Sequence, residues 1–232
     1  MLHYLPNLKY HYIVAPALGL AYARIPKAAN STIKRQLAVA LGLPKKPDGG
    51  TYSKDAEWRK MVPTAYVMTA AQMYRRYPDI FVFTFVRDPL SRLASCYRSK
   101  IVKPAKLSLG LRREGLRKGI SFPDFVRHVA SRSDWRCNIH YRSQATILRH
   151  KGQVTADFVG RFETLNADWA RLQTAVMERT GTELSNLPIR PETKRKPMLP
   201  SGDLFQGDQA LISMAKSRYA DDYRLFYPEL NA

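Results

Sequence analysis

Short apolar runs alternate along the chain with stretches in which apolar residues recur every three or four positions. The first pattern reads as strands and the second as amphipathic helices, so their alternation predicts an α/β sheet with crossover helices. "IFVFTFV" (80–86) has seven apolar or β-favouring residues without alternation, which suits a strand buried on both faces inside a parallel sheet. "LGLAYARI" (18–25), bounded by Pro26, "AYVMT" (65–69) and "DFVGRF" (157–162) are the other expected strands. From Ser31 onward Ile33, Leu37, Ala40 and Leu41 repeat at helical spacing until Gly42 ends the run. The strand at 65–69 is expected to be followed by a short helix through Arg76. Pro89 opens another, with Leu90, Leu93, Ala94 and Tyr97 on one face.

Ser121 and Asp124 resemble a capping box ahead of Phe122, Phe125, Val126 and Val129. Leu165, Trp169, Leu172 and Val176 line a helix that stops at Gly181, and 207–226 reads as one final helix. Residues 42–64 and 185–206 read as loops, and the basic 100–119 segment as a loop or weak helix. No repeat or low-complexity tract interrupts this order. The expectation is one domain over 1–232, three layers about a central, mostly parallel sheet.

Composition narrows the class. With 45% hydrophobic residues the chain is globular. Cys96 and Cys137 make no disulfide framework and lie in no metal-ligand spacing, which fits a reducing compartment. The N-terminal stretch is broken by Pro6, Lys9, His11 and Pro16, whereas a membrane span needs about 18 unbroken apolar residues. The chain therefore reads as soluble and cytoplasmic. A net charge of +19 favours anionic partners without choosing among nucleic acid, acidic polysaccharide, membrane surface and anionic cofactor.

Two stretches carry candidate chemistry. "ARIPKAANSTIKRQLA" (23–38) places Lys27, then Ser31 and Thr32, between a strand and a helix. Such a turn holds a phosphate, because the first helical N–H groups and the helix dipole favour an anion. It is not a nucleoside-triphosphate P-loop: Lys27 precedes Ser31 by four residues and the turn (Ala28, Ala29, Asn30) lacks glycine. "FVFTFVRDPLSRLASCYRSK" (81–100) delivers Arg87 at the carboxyl end of the buried strand, with Ser95 eight residues later. Ligands bind beyond the carboxyl ends of strands in open parallel sheets. Two cationic positions on one rim suit a ligand with phosphates at two places.

These residues resemble the PAPS-dependent sulfotransferases, specifically the carbohydrate branch that includes the chondroitin and HNK-1 enzymes. Pro26, Lys27, Ser31 and Thr32 match its 5′-phosphosulfate loop; Arg87, Asp88, Pro89 and Ser95 match its 3′-phosphate motif. "NIHYRSQ" (138–144), "DFVGRFETLNADW" (157–169) and "SRYADDYRLFYPEL" (217–230) are similar to further segments of that branch, so the likeness covers about 18–230. Ala29 stands where that branch often has a glycine.

The resemblance implies transfer of a sulfuryl group from PAPS to an acceptor hydroxyl, with no metal and with adenosine 3′,5′-bisphosphate (PAP) released. Lys27 would act on the leaving oxygen. Ser31, Thr32 and the backbone from Ala28 through Ala29 and Asn30 to Ser31 would hold the 5′-phosphate. Arg87 and Ser95, with Arg195 from the basic 194–196 run, would bind the 3′-phosphate. His140 is the candidate base, ahead of Glu163. The acceptor is expected to be a glycan or another hydroxyl-bearing, possibly anionic, molecule. Lys and Arg residues of the 100–118 segment are candidates to meet it. The lack of an anchor suggests a bacterial-type member of the branch.

Two other classes stay in view. The charge alone allows a non-catalytic nucleic-acid or polyanion binder, which steep salt dependence would reveal, but no nucleic-acid-binding signature accompanies it. ATP and magnesium dependence would mark a nucleotide kinase.

Overall fold

The first strand is one that the sequence pattern hides. In the computed structural model, which describes residues 11–44, 46, 50, 52–188 and 202–230, β1 (Tyr12–Ala15) is entirely buried. Pro16, which breaks the apolar run, begins a 3₁₀ turn (Pro16–Leu18) that reverses the chain into β2 (Leu20–Ala23). Gly19 closes that turn at φ 65°, and a Cβ there would lie 3.1 Å from Thr180 Cγ2. Helix α1 (Asn30–Ala40) follows, and Gly42 lies just past its end at φ 63°.

The expected loop 42–64 contains one helical turn, α2 (Asp55–Trp58), anchored because Trp58 is fully buried and donates through Nε1 to Tyr52 O. Strand β3 (Tyr66–Met68) and α3 (Ala70–Arg76), capped by Thr69, come next. Strand β4 (Phe81–Val86) has its last five residues buried, as an unbroken apolar run requires. Helix α4 (Pro89–Tyr97) then runs into a π-helical turn, Arg98–Val102.

Part of the basic 100–119 segment is helical, as α5 (Leu109–Arg113). Helix α6 (Phe122–Ala130) is capped by Ser121, which accepts from Asp124 N–H. Helix α7 (Gln144–Leu148) leads into a two-residue hairpin, β5 (Arg149–His150) and β6 (Gln153–Val154). Strand β7 (Phe158–Arg161) and α8 (Leu165–Thr180), stopped by Gly181 at φ 69°, fall where the pattern put them. A short α9 (Gly202–Phe205) follows.

The single final helix expected over 207–226 is instead two, α10 (Gln209–Arg218) and α11 (Ala220–Phe226). The break is at Tyr219 (φ −112°, ψ 26°), whose buried hydroxyl donates to Tyr141 O at 2.6 Å. Placing that phenol takes precedence over helical continuity.

The five-stranded sheet has the order β3-β1-β2-β4-β7. Strands β2 and β4 are parallel neighbours, as are β4 and β7, while β1 runs antiparallel to both of its neighbours. The described residues fall into two compact units, 11–86 with 148–188 and 87–147 with 202–230.

The first unit holds the sheet. Ile33 and Leu37 of α1 and Trp169, Leu172 and Val176 of α8 pack with Tyr22, Phe83 and Phe85, the Phe85 and Trp169 rings 6.1 Å apart. Each such side chain contributes about 2–3 kcal/mol by burial. Gly160 of β7 is required there, since a Cβ would lie 2.7 Å from Phe85 Cδ1. The second unit is helical. Tyr97 lies edge-on to Phe122, which packs edge-on to Phe205 of α9, and Phe125 is edge-on to Tyr141. No helix among the described residues is long and apolar enough to cross a membrane.

Candidate functional site

Parallel pairing brings Leu20 to Ala23 of β2 opposite Phe81 to Thr84 of β4, and Thr84 Oγ1 donates to Ala23 O at 2.8 Å. Two neighbouring strands therefore end at one edge of the sheet, one entering the Lys27 turn and the other the chain that begins with Arg87. The strands before the two motifs belong to one sheet, as the sequence reading required, and within it they are parallel neighbours.

Lys27 and Ala29 both adopt the left-handed region, at φ 73° and 54°. Non-glycine residues occupy that region at a cost and concentrate where geometry serves function. Ala29 thus takes a conformation that glycine adopts more easily than alanine. Ala29 O accepts from Thr32 and Ile33, so α1 starts at Asn30 with its cap residue offering no side-chain acceptor.

Helices α3, α4, α6 and α10 do have such acceptors, in Thr69, Asp88, Ser121 and Asp208. The first turn of α1 also lacks an acidic residue. Its opening N–H groups, the Lys27 ammonium and the Ser31 and Thr32 hydroxyls form a set of donors that suits an oxyanion. Arg35, one turn on, reaches back to Ser31 O at 3.2 Å and Thr32 Oγ1 at 3.5 Å.

Sequence reading misses an ion cluster behind this turn, in which two buried cations meet a half-exposed carboxylate. Arg24 and Lys34, 5% and 1% exposed, both meet Asp55 Oδ1 at 2.7 Å. Burial pushes the Asp55 carboxyl up, but Arg24 and Lys34 outweigh it and hold the group at about 2. Burial lowers the Lys34 ammonium. The cluster ties the strand end before the turn to the helix after it. Helical spacing alone gave no signal, because Asp55 comes from a different segment.

Arg87 follows β4 directly and is buried. Its main chain is gripped by Gln144: Arg87 N–H donates to Gln144 Oε1 at 2.9 Å, and Gln144 Nε2 donates to Arg87 O at 2.8 Å. Asp88 caps α4 by accepting from Ser91 N–H at 2.8 Å, and its other oxygen accepts from Tyr223 Oη at 3.0 Å. Arg92, 1% exposed, donates to Arg142 O at 2.7 Å and Ile139 O at 3.2 Å. Ser95 is partly exposed on α4, two turns beyond Arg87.

Asp222 is fully buried and accepts from the N–H groups of Gln144 (2.9 Å) and Ala145 (2.7 Å). Burial nevertheless raises its carboxyl to about 6.

His140 lies in the segment that Arg92 anchors. Asn138 Oδ1 receives both His140 N–H, at 3.2 Å, and His140 Nδ1, at 2.7 Å. A backbone N–H can only donate, so the shared atom is an oxygen and Nδ1 carries the ring proton. The neutral ring then keeps its lone pair on Nε2, the tautomer a base requires. Glu163 is exposed, immediately before the residue that caps α8. The carboxylate that orders that junction is Asp168, which accepts from Arg161 N–H and Thr164 Oγ1 at 2.7 and 2.8 Å. Arg195 and its 194–196 run lie outside the described residues.

Comparison with known proteins follows the same residues. The sequence model described as "Sulfotransferase family" matches 10–228. Carbohydrate sulfotransferase 14 of Homo sapiens is 26% identical over 242 residues, covering 94% of this chain and 60% of its own length. Carbohydrate sulfotransferase 11 of Rattus norvegicus is 27% identical over 183 residues, 70% of this chain and 52% of its own. Carbohydrate sulfotransferase 12 of Mus musculus is 28% identical, covering 72% and 49%. The chain thus spans about half the length of the curated relatives it matches. No solved structure matches it.

Proposed function

The chain belongs to the sulfotransferase family, and we propose that it moves a sulfuryl group from PAPS to a carbohydrate hydroxyl, releasing PAP. The observation that carries this reading is the family match over 10–228, which spans both cationic motifs; the parallel pairing of the strands that precede them supports it. The relatives' names supply the carbohydrate.

PAPS supplies the sulfuryl group and a phosphate leaving group. In this reading the first-turn N–H groups of α1, with Ser31 and Thr32, hold the 5′-phosphate. Lys27 neutralises charge that grows on the leaving oxygen, an interaction stronger in the transition state than in the ground state. Arg87 and Ser95 hold the 3′-phosphate and distinguish PAPS from nucleotides that lack it. His140 takes the acceptor's proton at Nε2. Positioning and charge stabilisation dominate such in-line group transfers.

The test is transfer of labelled sulfate from PAPS into a panel of glycans. Label in at least one glycan is the expected result. No label in any of them, together with equal affinity for PAP and AMP, would refute the reading.

A further inference from the structure

Gln144 closes the "NIHYRSQ" segment and is fully buried, yet nothing in the proposed chemistry uses it. Both polar atoms of its side-chain amide engage Arg87. Oε1 accepts from Arg87 N–H and Nε2 donates to Arg87 O, across 57 positions of sequence. Among side chains, a primary amide offers a donor and an acceptor side by side at neutral pH, and asparagine is one methylene shorter.

The amide is itself fixed. Asp222 holds the N–H groups of Gln144 and Ala145, the start of α7, from 78 and 77 positions away. Arg92, on the helix that follows Arg87, binds the carbonyls of Ile139 and Arg142 just before Gln144. The segment and the arginine corner are therefore locked in both directions.

We propose that Gln144 is a positioning residue for the 3′-phosphate arginine: by clamping the Arg87 main chain at both polar groups it fixes the direction in which the guanidinium leaves the end of β4. This rests on the reading of Arg87 as the 3′-phosphate contact. A long arginine side chain amplifies any rotation of its own backbone, and binding geometry tolerates only about 0.5 Å and 10–20°. β4 ends at Val86, so Arg87 lies beyond the last residue registered on a neighbouring strand. Gln144 continues the restraint one residue past the sheet.

The experiment compares affinities for PAP and 5′-AMP by calorimetry. The wild-type chain is expected to prefer PAP, and Arg87→Ala to lose the preference. Gln144→Ala should lower the preference about tenfold, the worth of one good hydrogen bond, with AMP affinity changed less than about twofold. Gln144→Glu keeps the volume and serves if the alanine variant fails to fold. As a carboxylate it sets an oxygen against Arg87 O; once protonated it regains the donor. Its PAP preference, relative to wild type at each pH, should be low at pH 8 and recover toward pH 5.

An unchanged preference in Gln144→Ala, an equal fall for both nucleotides, or a Gln144→Glu preference indifferent to pH overturns the role of Gln144. Equal binding of PAP and AMP by the wild type, or a preference that survives Arg87→Ala, overturns the reading of Arg87 and this proposal with it.

Discussion

After β2 the chain turns through Lys27 and Ala29 at φ 73° and 54° and enters α1 without a side-chain cap. After β4 it turns through Arg87 and Asp88, where Gln144, Ser91 and Tyr223 hold main chain and carboxylate, and it enters α4 capped by Asp88 with Pro89 in the first turn. The first connection presents donors on a strained backbone. The second holds its main chain and its carboxylate with internal hydrogen bonds. A donor with two phosphates poses different problems at its ends: the reacting end needs groups that answer charge as it develops, the anchoring end a fixed point. Strain suits the former, over-determination the latter.

If this contrast is right, the largest effect belongs to Lys27. Lys27→Ala should reduce kcat a hundred- to thousandfold, the loss typical of one transition-state donor, while PAP affinity falls less than tenfold. Single-turnover kinetics beside calorimetry would separate the two. Retained turnover would remove the reactive character assigned to this turn.

Stability should show the reverse asymmetry. Arg92→Ala takes a donor from one buried and one part-buried carbonyl and empties the space of a side chain that is 1% exposed. The expected cost is about 3 kcal/mol. Ser31→Ala, at an exposed position of the other connection, should cost less than about 0.5 kcal/mol. Urea denaturation of both variants checks this, and equal losses would dissolve the contrast.

The pH dependence sharpens it further. Burial raises Asp222 to about 6 in the folded chain, above the range of an exposed aspartate near 4. The folded state then holds this proton more tightly than the unfolded one. Its contribution to stability is complete below about 4 and declines as pH rises through about 6. Asp55 and Asp134 are held at about 2 against burial, Asp55 by Arg24 and Lys34 and Asp134 by Arg218 and Ser143. Their contribution is present above about 4 and lost as pH falls toward 2. Asp222→Asn should flatten the decline between pH 4 and 6 and leave the acid limb intact; an unchanged upper limb would place the titration elsewhere.

Sequence and structure agree where one local signal suffices. β4 was legible because an unbroken apolar run with five buried residues needs no partner to announce itself, and α8 because Leu165 and Gly181 bracket a clear helical period. Both cationic motifs could be placed after strands for the same reason. β1 was not legible: His11 and Pro16 bound a run of only four residues, and only pairing with β2 and β3 shows that Tyr12–Ala15 is an interior strand of the sheet. Gln144 and Asp222 read as ordinary polar residues because their partners lie 57 and 78 positions away. Gly160 likewise gains its meaning from Phe85, on the neighbouring strand.

The smallest expected effect lies in the backbone of the Lys27 turn. An L-residue in the left-handed region costs about 1–2 kcal/mol that glycine does not incur. Ala29→Gly should relieve that strain, but the glycine chain gains about 0.4–1 kcal/mol of freedom when unfolded. The net change should therefore lie between about 0 and 1.6 kcal/mol in favour of the variant. Ala29→Val crowds a β-branched side chain at φ 54° and should cost about 1–3 kcal/mol. Comparing the two by urea denaturation isolates the backbone term, because neither variant alters charge or the hydroxyls of Ser31 and Thr32. A valine variant as stable as the parent would mean that the turn relaxes out of the left-handed region without penalty. The strained side of the comparison would then have no energetic content, and Lys27 would owe its role to charge alone.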